Sequence, residues 1–73
     1  SRMEAHTKGM LYDMQVRQVG ESSFTAEAVI LEDCGDSWLL REIVGSADAL
    51  LDSRKAAEDL AGSLAREWIE RNT

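Results

Sequence analysis

Three stretches of the chain, about 11–18, 24–32 and 37–44, are rich in β-branched, aromatic or aliphatic side chains among polar ones and are separated by turn-forming residues. That pattern predicts a meander of three antiparallel strands. From Ser53 to about Arg71 the period becomes helical: Ala57, Leu60, Ala61, Leu64 and Trp68 fall on one apolar stripe, with Asp59, Ser63, Arg66 and Glu70 opposite. Asp52 or Ser53 supplies the N-cap, Glu67 stands four residues before Arg71 for an ion pair, and Gly62 falls near the polar side. The predicted fold is α+β, β-β-β-α, with the helix laid on one face of a three-stranded sheet. Residues 1–9 are polar, mixed in charge and without period, so they read as a flexible lead-in to a single domain over residues 10–73. Ser46-Ala47-Asp48-Ala49-Leu50-Leu51 reads as a connector with a short helical turn.

The strand registers follow from loop chemistry and from keeping charge off the covered face. Asp33-Cys34-Gly35 suits a three-residue hairpin loop ending in a left-handed Gly. It pairs Glu32 with Asp36, and sets Ile30 opposite Trp38, Ala28 opposite Leu40 and Phe24 opposite Val44 on the helix side. Val29–Leu39, Glu27–Arg41 and Thr25–Ile43 then fall on the other side. In the first hairpin, a five-residue loop Val19–Ser23 places Val16 by Ala26, Met14 by Ala28 and Tyr12 by Ile30, whereas a four-residue loop would bury Arg17 and Asp13. The alanines at 26 and 28 leave room for the helix.

Composition narrows the functional classes. In 73 residues, 44% hydrophobic and 30% charged, there is material for one small core and no apolar run of membrane-spanning length. The lone Cys34 has no internal disulfide partner, and the N-terminus lacks a signal-peptide core, so a reducing, cytoplasmic setting is expected. A net charge of −6 disfavours nucleic acid and anionic membranes, because affinity for both comes largely from Lys and Arg.

Catalytic, metal and cofactor signals are weak. His6, the only histidine, has no partner to orient it as a general base. Cys34 stands at a hairpin tip beside Asp33 and Asp36, where negative charge opposes thiolate formation. Glu32, Asp33 and Asp36 offer oxygen ligands without the spacing of a calcium loop, and read as a solvated turn. Neither a glycine-rich phosphate loop nor a nucleophile elbow occurs, so neither an enzyme nor a cofactor is expected. The predicted register puts Glu42 on the helix side beside Ala26, from which an edge strand would let it reach solvent.

The helix start Ser53-Arg54-Lys55-Ala56-Ala57-Glu58-Asp59-Leu60-Ala61, after a strand meander, resembles the second helix of double-stranded-RNA-binding domains, which carries a Ser-Lys-Lys-x-Ala-Lys run. The resemblance implies phosphate contacts through Arg54 and Lys55. Glu58 departs from it where the family has a further lysine, and the family's N-terminal helix has no counterpart in Ser1–Gly9. The order of elements is also similar to phage-integrase arm-binding domains and the plant ethylene-response DNA-binding domain, whose sheets are basic. Here the uncovered side carries Arg17 and Arg41, offset by Asp13 and Glu27. The leading expectation is therefore a non-catalytic protein-interaction or regulatory domain. Its partner face is Val29, Leu39 and Ile43 with Arg41, docking a protein partner or a second copy through that face or a strand edge.

Overall fold

Four strands and one helix follow one another along the chain: β1 (Arg2–Ala5), β2 (Met10–Gly20), β3 (Ser23–Asp33), β4 (Trp38–Gly45) and α1 (Arg54–Asn72). The structure, a computed structural model, describes residues 2–46 and 49–73. The strands form one antiparallel sheet in the order β1-β2-β3-β4, and α1 packs on one face against β2, β3 and β4. The class is α+β as expected, with four strands where three were predicted.

The additional strand occupies what reads in sequence as a lead-in. Arg2–Ala5 pairs with Met14–Leu11, and the reversal between them is closed by a 2.8 Å bond from His6 N–H to the Met10 carbonyl. Lys8 and Gly9 turn the chain with φ of 61° and 70°. Only Met3 and Ala5 alternate with polar residues here, and a two-position pattern is too short to register as periodicity.

The first long hairpin has the predicted register, with Tyr12 opposite Ile30, Met14 opposite Ala28 and Val16 opposite Ala26. Its end is tighter than a five-residue loop. Gly20 pairs with Ser23 around Glu21-Ser22, and a slip between Gln18 and Gly20 absorbs Val19 without disturbing the earlier pairs.

The second hairpin corrects the predicted register. Asp33 pairs with Trp38, and Cys34 N–H bonds to the Ser37 carbonyl at 2.8 Å. Asp33 Oδ1 accepts the Gly35 N–H at 2.9 Å. Gly35, at φ 94°, therefore opens the reversal instead of closing a three-residue loop. A bulge follows: Ile30 faces Glu42 and Leu31 faces Leu40, leaving Arg41 without an opposite residue. Leu39 consequently lies opposite Glu32, Ile43 opposite Val29 and Val44 opposite Ala28. Trp38 and Leu40, expected under the helix, are 53% and 55% exposed.

Ser53 caps α1, its Oγ accepting the Ala56 N–H at 3.1 Å. The residues sealed against the sheet are Ala57, Ala61, Ala65 and Ile69, four residues in a line at i+4 spacing, with Gly62 beside them. Leu60, Leu64 and Trp68 flank this line half-buried. The stripe is thus turned by about one residue from the predicted one, and Gly62 belongs to the packing face. The cause is the sheet beneath: Met10, Tyr12, Met14 and Ile30 supply the bulk, so α1 approaches closest along its smallest residues. A Cβ at Gly62 would stand 3.2 Å from Met14 Sδ and 2.9 Å from Arg66 Nη1. The Glu67–Arg71 ion pair forms at 3.0 Å as expected. The connector turn expected over 46–51 includes residues 47 and 48, which lie outside the described residues; Leu51 bridges to Phe24.

Candidate interaction surface

On the face away from α1, strand alternation aligns two rows of side chains across the whole sheet. One row is Ala5, Leu11, Leu31 and Leu40; the next is Met3, Asp13, Val29 and Ile43. Trp38, opposite Asp33, extends the apolar area at the hairpin end. Exposure runs from 44% at Met3 to 55% at Leu40, while Leu11, Val29 and Leu31 are half-buried between their neighbours. Further along the same face the residues turn polar, with Gln15 opposite Glu27 and Arg17 opposite Thr25.

Of the expected partner residues, Val29 and Ile43 sit directly opposite each other on this face. Leu39 and Arg41 do not join them. Leu39 shares the Glu32 position, whose partner on β2 is the buried Met10, so it lies at the margin of the helix side. Leu40 takes its place in the apolar row. The bulge turns Arg41 the same way as Leu39: its Nη1 is 2.7 Å from Glu32 Oε1 and its guanidinium lies 5.7 Å from the centroid of the Trp68 ring.

Asp13 is the one charged residue within the two rows. Its Oδ2 accepts a 3.1 Å hydrogen bond from Gln15 Nε2, and it belongs to none of the ion pairs found among the described residues.

The sheet edges are blunted. β1 is four residues long. On β4, Ser46 N–H bonds to the Ala26 carbonyl, so by alternation the Ile43 N–H points to the open side. There Glu42 Oε1 accepts it at 3.0 Å. Glu42, exposed at the sheet margin opposite Ile30, thus occupies an edge donor that another strand would need. The Arg41 bulge breaks the same edge.

The remaining candidates are engaged locally. Strand β1 carries His6 to a cluster at the helix end, where Arg66 Nη1 donates to Tyr12 Oη at 2.9 Å and the Tyr12 hydroxyl lies 3.5 Å from Glu4 Oε2. The His6 ring meets Tyr12 edge-on, and its buried Nε2 lies 3.6 Å from Glu70 Oε2 without a hydrogen bond. These contacts tie β1 to α1, and sequence reading missed them because it gave residues 1–9 no structure. Cys34 is exposed with Sγ 3.7 Å from the Glu32 carbonyl, while Arg41 and the Gly35 N–H occupy the carboxylates of Glu32 and Asp33. At the helix start, Arg54 stacks 5.4 Å from the centroid of the Phe24 ring and Lys55 Nζ lies 3.4 Å from Asp59 Oδ2. Among the described residues, no helix is long and apolar enough to cross a membrane. No family model, curated protein or solved structure matches the chain.

Proposed function

We propose that this chain is a non-catalytic protein-interaction module and that the sheet face opposite α1 is its contact surface. One observation carries the reading: seven of the eight positions in the two aligned rows are apolar, and they lie together on the side that α1 leaves open. Isolated surface aliphatics are ordinary, but a continuous apolar area with a polar rim is the form that contact sites take.

The test is affinity capture with the full chain as bait, comparing wild type with the double variant Leu40→Lys, Ile43→Lys and with the helix-start variant Arg54→Glu, Lys55→Glu. The expected result is a protein partner, or the chain itself, retained by wild type and by the helix-start variant and lost by the face variant. Capture that survives the face variant and fails with the helix-start variant would overturn the assignment in favour of Arg54 and Lys55.

A further inference from the structure

Resting on that reading, we infer that the occupant of the open face is an amphipathic helix of a partner protein that carries a Lys or Arg within its apolar stripe, set to meet Asp13.

The first consideration is shape. The two apolar rows lie two residues apart along the strands, about 7 Å, and run across four strands at roughly 4.8 Å spacing. With its side chains this band is about as wide as one helix, whose diameter is roughly 10 Å. A second sheet laid on it would overrun the band onto Gln15, Glu27, Arg17 and Thr25. A helix of about 13 residues spans its length at 1.5 Å per residue. Strand addition is the poorer route because Glu42 and the Arg41 bulge obstruct the β4 edge.

Charge decides between a foreign helix and a second copy. Burying an unpaired carboxylate is costly, so whatever covers the band must bring a counter-charge to Asp13. Among the described residues, the only cation on this face is Arg17, four residues beyond Asp13 on β2. Superposing the apolar rows of two copies therefore leaves both aspartates against aliphatics. Sliding them until Arg17 reaches the other Asp13 moves the rows apart by about 13 Å and uncovers the leucines. Glu27 and Asp33 add negative charge around the same face, and the chain as a whole carries −6. A basic, apolar-striped helix satisfies both demands at once; a second copy satisfies one at a time.

The experiment uses the full chain and two synthetic helical peptides of about 14 residues with a Leu/Ala stripe, identical except for a Lys or a Glu at the stripe centre, followed by methyl NMR. The Lys peptide is expected to shift Leu11, Val29, Leu31 and Ile43, and the Glu peptide to bind roughly tenfold more weakly or less. Asp13→Lys should reverse that preference, which a merely apolar contact would leave unchanged. Equal binding of both peptides at this face overturns the counter-charge inference and leaves the contact surface standing. Binding of neither peptide, with sedimentation showing dimers that strengthen in Asp13→Asn, overturns it in favour of a second copy. Binding of neither with a monomeric chain overturns the helix inference, while the contact surface is decided separately by the capture experiment.

Discussion

At the scale of the residue, Leu39 and Leu40 on β4 exchange the faces their pattern suggests, while Ile30 on β3 keeps its expected place in the core. Leu40 reads as core in the sequence and is more than half exposed; Ile30, opposite Glu42 on the neighbouring strand, is sealed under α1. Leu40→Lys is therefore expected to change folding stability by no more than about 0.5 kcal/mol, as surface replacements do. Ile30→Lys should cost more than about 4 kcal/mol and unfold a domain whose reserve is of order 5 kcal/mol. Urea titrations of the two variants decide this, and unfolding by Leu40→Lys would restore the register in which Ala28 and Leu40 are partners. Gly62 shows the same limit of sequence reading. Its lack of a side chain looks like a weakness on a polar flank, and only the position of Met14 Sδ beneath it reveals a close approach.

Among the elements, β2, the core pairs of β3 and the span of α1 were legible because long periodic runs carry redundant information: a wrong register there buries Arg17 or Asp13. The Ser53 cap and the Glu67–Arg71 pair were legible because capping and i,i+4 rules are local. β1 was not, since four residues offer two alternations. The β4 register was not, because the decisive groups are the Asp33 carboxylate on the Gly35 N–H and the bulge at Arg41, and neither follows from hydrophobic pattern. Of the expected partner face, Val29 and Ile43 survived this shift while Leu39 and Arg41 moved to the helix side. The edge of β4 carries its own prediction. Glu42→Val removes the acceptor for the outward Ile43 N–H and adds a β-branched side chain to an open strand. Self-association in sedimentation should increase in that variant while the fold persists; an unchanged monomer would show that the bulge alone blunts the edge.

For the whole molecule, the division of labour lies between two faces of one sheet. The inner face, closed by the alanine line of α1 and pinned at its rim by Arg66–Tyr12 and Arg41–Glu32, holds the fold. The outer face contributes little to that closure, yet it holds Leu11, Val29, Leu31, Leu40 and Ile43 in register. A net charge of −6 keeps such a face dispersed in water and, on the proposed reading, favours basic partners over copies of the chain. The most direct measurement is the broadening of methyl signals by a neutral soluble nitroxide, with the chain free and then bound to the partner recovered by capture. Leu31, Leu40 and Ile43 should be strongly broadened in the free chain and protected in the complex, with Ile30 and Ile69 shielded in both states. Protection confined to the helix start near Arg54 and Lys55, with Leu40 and Ile43 still broadened in the complex, would contradict the assignment of the open sheet face.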